Sequence, residues 1–191
     1  MSSDKDEIRQ EMRVRRKAAS ARERADASSV VCAKLEALGR SSTTAVYLAT
    51  SDEIDLSAYI THMLWCDVRL VAPRWNGETY ELAVLNGLDA QCLRRGPMGI
   101  MEPVDAEIVP AKDVSLWIVP GLAFTRDGGR LGYGGGWYDR LLAAASKDSA
   151  KLGVAYSFQI VDALPAEPHD VQLTAVVDDS MPDGAARRIM L

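Results

Sequence analysis

The stretch Leu116-Trp117-Ile118-Val119, followed downstream by Arg130-Leu131-Gly132-Tyr133-Gly134-Gly135-Gly136-Trp137-Tyr138-Asp139-Arg140, decides how this chain is read. A continuous apolar run of this length predicts a central strand buried on both faces. The polar, glycine-rich loop after it leads into a helix predicted from about Gly136 to Ala145. Strand, glycine loop and helix in that order mark the place where open α/β sheets bind ligands. Glycines let the backbone come close to a ligand, a helix N-terminus favours an anion, and Arg130 can grip phosphate oxygens in bidentate fashion. The run is not GxxxxGK[ST], and Trp137 stands where GxGxxG needs its last glycine. The competing reading is a tight strand-to-helix turn whose glycines serve only geometry. Three consecutive glycines are costly to order, and with Arg130 and Asp139 beside them they favour function.

Upstream, Ala45-Val46-Tyr47-Leu48 predicts a short strand, and Leu56, Tyr59, Ile60, Met63 and Leu64 have helical spacing as far as Trp65. A strand is expected over Val68–Ala72, stopped by Pro73, and another over Tyr80–Leu85 after the Asn76-Gly77 turn. Residues 86–113, broken by Gly96-Pro97, Gly99 and Pro103, read as irregular. Downstream, Leu152–Tyr156 and Ala175–Val177 complete the strands. From Asp4 to Leu38 there is no Pro or Gly, and Ser20 with Glu23 fits a capping box, so two helices should meet near residue 20. The first has a thin apolar face, with Ile8 and Met12, and is expected across the outside of the molecule. Alternating strands and helices imply one α/β domain, residues 1–191, with a largely parallel sheet.

The chain has 191 residues, 48% hydrophobic and 26% charged, enough for one sizeable core. A net charge of −5 argues against a general nucleic-acid binder. Cys32, Cys66 and Cys92 fit no CxxC pattern and read as reduced thiols, and two histidines, His62 and His169, argue against an imidazole-rich metal centre. The charged N-terminal segment lacks the apolar core of a secretory signal, and its Asp4, Asp6, Glu7 and Glu11 count against a transit peptide. No apolar stretch approaches the ~20 residues that span a bilayer, so a cytosolic location is expected.

Pro120-Gly-Leu-Ala-Phe124 and Gly128-Gly-Arg-Leu-Gly-Tyr-Gly-Gly-Gly-Trp-Tyr-Asp-Arg140 together resemble the signature of the 5-formyltetrahydrofolate cyclo-ligase (5,10-methenyltetrahydrofolate synthetase) family. Further matches follow in the family's order: Lys5 and Arg9, Glu53-Ile54-Asp55, Gly99-Ile-Met-Glu-Pro103, Gln159, Leu164-Pro165 and His169-Asp170. The resemblance implies a three-layer α/β/α fold with a mostly parallel sheet, related to the sugar-phosphate isomerase and CoA-transferase-like folds. It implies a reaction in which ATP and Mg2+ convert 5-formyltetrahydrofolate to 5,10-methenyltetrahydrofolate through a phosphorylated formyl group. ATP contacts carried over are Lys5, Arg9, Arg130, Leu131, Gly132, Tyr133, Gly134, Gly135, Gly136, Trp137 and Tyr138, with Arg130 and Tyr138 also catalytic. Leu48, Glu53 and Trp137 would contact the reduced folate, and Asp139 and Asp170 would hold magnesium. The implied partners are a reduced folate and ATP, with no nucleic acid or membrane, and the protein is expected to be a monomer.

By themselves these residues have plainer readings. Lys5 and Arg9, at i and i+4 on one helix face, could be a solvated basic surface like Arg13, Arg15 and Arg16. Asp139 could be a first-turn aspartate, Asp170 a loop residue and Leu48 a core strand residue, while His169 is given no role. Leu56, Thr125, Trp137 and Thr174 depart from the family's usual residues. Two other functions stay open: a non-catalytic folate- or nucleotide-binding regulator, and a different enzyme on the same scaffold.

Overall fold

The computed structural model describes residues 4–97, 99–104, 106–167, 170–180 and 182. His169 therefore lies outside the described residues. Helices α1 (Asp4–Ala18) and α2 (Ala21–Glu36) meet where expected. The Ser20 hydroxyl accepts from the Glu23 N–H, and the Glu23 carboxylate accepts from the Ser20 N–H, which completes the capping box.

The central sheet has six strands in the order β10-β9-β6-β1-β2-β3. They are β1 (Thr43–Ala45), β2 (Arg69–Trp75), β3 (Tyr80–Val84), β6 (Leu116–Val119), β9 (Ala150–Ala155) and β10 (Ala175–Asp178). All pairings are parallel except β2 with the edge strand β3. All four residues of β6 are buried, as a strand covered on both faces requires.

Alternation along the strands sends apolar side chains to two clusters. Leu116, Ile118, Leu152, Val154 and Leu70 pack against α2 and α3 (Ser57–Trp65). Trp117, Val119, Val71 and Val176 face the other way, toward Leu141 and Leu142 of α4 (Trp137–Ala143). Helices thus lie on both sides of a mixed, mostly parallel sheet, an α/β fold. The chain runs from β1 outward to β2 in one direction and from β6 outward to β9 in the other, with α3 and α4 on opposite faces. The reversal falls between neighbours β1 and β6, which is where such sheets open a crevice at their carboxyl edge.

Four expectations need correction. Strand β1 ends at Ala45, so Leu48 is a loop residue rather than a strand residue. Strand β2 runs through Pro73 to Trp75. Leu85 donates to Leu70, which puts Pro73 in a non-hydrogen-bonded pair with Leu82. Its nitrogen then faces the side where β1 has already stopped, so no ladder bond is lost. Residues 86–113 contain a small hairpin, β4 (Leu93–Arg95) with β5 (Met101–Pro103). A second hairpin, β7 (Ala123–Phe124) with β8 (Arg130–Leu131), stands between β6 and the glycine loop, which does not follow the central strand directly.

Helix α1 does not lie on the main sheet. Met12 and the half-buried Ile8 pack against Leu122, Ala123 and Leu131, so α1 covers the second hairpin and reaches the glycine loop. Among the described residues no helix is long and apolar enough to cross a membrane.

Candidate active site

Three loops at the carboxyl edge of the sheet build the site: the one after β1, the one after β6 and the start of the one after β9. In the glycine loop, Gly134 (φ 103°) and Gly136 (φ 65°) take left-handed conformations that side chains disfavour. Helix α4 is only seven residues long, and Gly136 caps it without a side-chain bond, so its dipole is a minor contributor. The loop's polarity comes from elsewhere. Arg9 donates to the Gly132 carbonyl (3.1 Å), Arg13 to that of Tyr133 (3.4 Å) and Arg140 to that of Gly135 (3.2 Å). A trans peptide points its N–H opposite its carbonyl, so the N–H groups of Tyr133, Gly134 and Gly136 are turned away from those arginines. Among the described residues none of these three N–H groups donates a hydrogen bond. Successive free backbone donors are what an anion-binding concavity presents.

The three cations expected at the phosphates are already paired with carboxylates. Arg130 is almost fully buried, ion-paired with Asp139, and its guanidinium lies 5.9 Å from the Tyr138 ring centre. Lys5 bridges Asp170 (3.1 Å) and Glu167 (3.0 Å). Burial opposes the Lys5 charge, but the bonds to Glu167 and Asp170 outweigh it and raise the pKa. Arg9 also pairs with Asp6 at 2.6 Å. Each expected magnesium carboxylate therefore sits beside an expected phosphate cation.

The loop after β1 supplies Glu53. One of its oxygens accepts from the Thr50 N–H (2.8 Å) and hydroxyl (2.9 Å), and the other accepts from the Tyr133 phenol. Two tyrosines fix the backbone there: Tyr156 donates to the Glu53 carbonyl (2.9 Å) and Tyr47 to that of Ile54 (2.8 Å). Burial pushes the Tyr156 phenol up to about 12, and burial with the nearby Glu53 charge raises Tyr133 and Tyr138 as well. All three stay neutral hydrogen-bond donors near neutral pH.

Leu48, Glu53, Tyr133, Trp137 and Tyr138 line one cavity of ≈ 320 Å³, together with Tyr47, Tyr80, Met101, Glu102 and Pro120. Trp137 stands edge-on to Trp75 (5.2 Å) and Tyr80 (5.5 Å), and Arg140 covers its ring at 4.1 Å. An aromatic box with few polar groups suits a flat heterocycle. The glycine loop and the cavity share Tyr133.

Arg16 looks like a solvated arginine in the sequence, but in the folded chain it is buried. It is 1% exposed, donates to the Asp52 carbonyl (2.8 Å), pairs with the Asp52 carboxylate (2.9 Å) and bonds the Tyr133 hydroxyl. Arg16, Tyr133 and Glu53 thus form one chain of hydrogen bonds from α1 to the cavity. Its only sequence signal is helical phase: Arg16 follows buried Met12 at i+4.

The departures from the family pattern are locally accommodated. Thr125 accepts from the Gly129 N–H (2.9 Å) in the second hairpin's turn, and Thr174 accepts from the Lys151 N–H (3.0 Å). Leu56 is fully buried at the start of α3.

Fold and site together define an α/β protein with a glycine loop of unbonded N–H groups beside an aromatic-lined cavity. The chain belongs to the 5-formyltetrahydrofolate cyclo-ligase family, whose model matches residues 1–179. The 5-formyltetrahydrofolate cyclo-ligase of Escherichia coli K12 is 32% identical over 142 residues, covering 72% of this chain and 78% of that one. The Mycoplasma pneumoniae enzyme of the same name is 42% identical over 66 residues, 35% of this chain, and that match spans 40% of its own length. The solution structure of Aquifex aeolicus 5,10-methenyltetrahydrofolate synthetase superposes with a TM-score of 0.80 at 34% identity, covering 93% of this chain and 90% of that one.

Proposed function

We propose that this chain uses ATP and magnesium to convert 5-formyltetrahydrofolate to 5,10-methenyltetrahydrofolate, with release of ADP and phosphate. One observation carries the reading: a glycine loop with unbonded N–H groups shares Tyr133 with a ≈ 320 Å³ aromatic cavity that holds Glu53. That volume is near the lower end of the roughly 300–1,000 Å³ typical of ligand pockets, so it fits a bicyclic ring rather than a whole folate. The reading takes residues 1–191 as one domain, monomeric and cytosolic.

The chemistry explains the layout. A formamide oxygen is a poor leaving group until it is phosphorylated. The formyl oxygen attacks the γ-phosphorus of ATP and ADP departs. The N10 nitrogen then attacks the activated carbon and loses its proton, and phosphate leaves with the C–O electron pair as the ring closes. Phosphoryl transfer asks mainly for positioning and charge neutralisation. The N–H groups of Tyr133, Gly134 and Gly136 would hold phosphate oxygens, while the neutral Tyr138 phenol donates toward the reacting oxygen.

The paired charges fit this role. Magnesium takes one or two carboxylates and completes its shell with phosphate oxygens and water. Among the described residues no group of three or more His, Cys, Asp or Glu forms an all-protein cage, and Asp139 and Asp170 fit that sparse donor set. In this reading Arg130 and Lys5 would pair with phosphate oxygens, and Asp139 and Asp170 would hold the metal. Magnesium would supply charge neutralisation on the transferring phosphoryl group.

Purified protein mixed with 5-formyltetrahydrofolate, ATP and magnesium should develop the near-ultraviolet absorbance of the methenyl product, and omission of either ATP or magnesium should abolish it. Arg130→Ala should slow turnover at least ~100-fold, the scale of losing one charge-stabilising donor. No absorbance change from the folded wild-type protein overturns the assignment.

A further inference from the structure

The expected folate contact, Glu53, already accepts three hydrogen bonds from Thr50 and Tyr133. A second carboxylate lines the same cavity and accepts none. Glu102, on β5, is 1% exposed, and among the described residues neither of its carboxylate oxygens meets a donor. Arg94, its cross-strand neighbour on β4, is exposed and forms no ion pair with it among the described residues. The carboxylate is seated against Gly96, where an added Cβ would lie 2.2 Å from Oε1, so glycine at that turn makes its seat. Its charge is felt at Tyr80, another wall of the cavity, whose phenol is raised by burial and by Glu102.

A buried carboxylate without a partner carries a large desolvation penalty that a well-packed apolar residue would not. Such a group is explained when a ligand brings the missing donors. The flat cavity and the acceptor-only chemistry of a carboxylate narrow that ligand to a planar ring with adjacent N–H donors on one edge. We propose that Glu102 is a specificity-determining substrate contact that accepts the 2-amino and ring N–H donors of the pyrimidine edge of the reduced pterin. Glu53 meanwhile is fastened to Tyr133 and ties the pocket to the glycine loop. The inference rests on the cyclo-ligase reading above and names a contact within its site.

The decisive comparison is wild type against Glu102→Gln, with folate affinity read from quenching of tryptophan fluorescence and turnover read by absorbance. Glu102→Gln should raise the KM and dissociation constant for 5-formyltetrahydrofolate by roughly 10–100-fold, the scale of charge-assisted hydrogen bonds, with kcat and the KM for ATP nearly unchanged. A 5-formyl analogue lacking the 2-amino group should bind wild type weakly and should lose little further affinity to the variant. The melting temperature of the ligand-free variant should change little, because among the described residues the carboxylate makes no hydrogen bond that the substitution would break. If Glu102→Gln does not fold, Glu102→Met, of similar size and apolar, takes its place. Unchanged folate affinity in a folded variant overturns the proposal, as does loss of folding in both variants, which would make Glu102 a structural residue. If wild type neither binds nor turns over the folate, the cyclo-ligase reading itself fails first.

Discussion

Arg16 shows how much a single side chain depends on its surroundings. Arg13, Arg15 and Arg16 are alike in sequence, but Arg15 is 45% exposed and pairs along the helix with Glu11, whereas Arg16 is buried among Asp52 and Tyr133. Removing one partner of a buried pair leaves an uncompensated charge, while an exposed helical pair contributes little. Arg16→Ala should therefore destabilise the protein by about 2–4 kcal/mol, the lower end reflecting a partly solvated Asp52. Arg15→Ala should stay within about 0.5 kcal/mol. Urea denaturation of both variants checks the contrast. Arg16→Ala should also raise the folate KM, because Tyr133 then loses the Arg16 bond that helps aim its hydroxyl at Glu53. Glu53 and Glu102 were both legible in the sequence as members of short motifs, but the burial of Glu102, like that of Arg16, was not, because burial is a property of what packs over a residue.

Elements that sequence reading missed are the short ones. Strands β7 and β8 have two residues each, and β4 and β5 three, too few to show a period of two. Strands of that length are held by partners rather than propensity, and Gly128 shows how. It sits in the turn between β7 and β8 at φ 96°, and a Cβ there would come within 2.2 Å of the Leu173 carbonyl oxygen. The same approach lets Leu173 donate to the Gly128 carbonyl at 2.9 Å. Gly128→Ala must strain the backbone and push the turn off the segment leading into β10. A loss of about 3 kcal/mol or more is expected, read as a lower denaturation midpoint. The opposite case is α2, whose capping box was plain from Ser20 and Glu23 alone. Ser20→Ala should cost about 1 kcal/mol, which for a chain of this size lowers Tm by roughly 2–4 °C.

At the scale of the whole molecule, stability should fall in acid for an identifiable reason. Asp178 ends β10, fully buried, and pairs with Arg126 while accepting two bonds from Ser180. Burial alone would raise its pKa, but the bonds from Ser180 and Arg126 prevail and hold it below the usual value of 3.8. A depressed folded-state pKa means that the unfolded chain binds the proton more tightly, so the stabilisation is complete above the unfolded value and fades as pH falls through the folded one. Chemical denaturation across pH 7 to ~2.5 should show declining stability below about pH 4. In Asp178→Asn that decline should be shallower, from a lower starting stability at neutral pH. An unchanged acid slope would remove Asp178 from the account.

The chain's alternation of apolar runs, its capping box and its glycine loop were enough to determine an α/β fold, the central buried strand and the segment that holds the candidate phosphate site. These are local signals, written in spacing and in residues with few allowed conformations. Only the tertiary structure decided that α1 lies over the β7–β8 hairpin, that three arginines hold the glycine loop's carbonyls, and that Leu48 lines a cavity instead of a strand. It also decided that Arg130 meets Asp139, Lys5 meets Asp170, and Glu102 is buried with no donor among the described residues. Most of those facts join residues far apart along the chain, and the energy of a buried charge is set by what the folded chain places next to it.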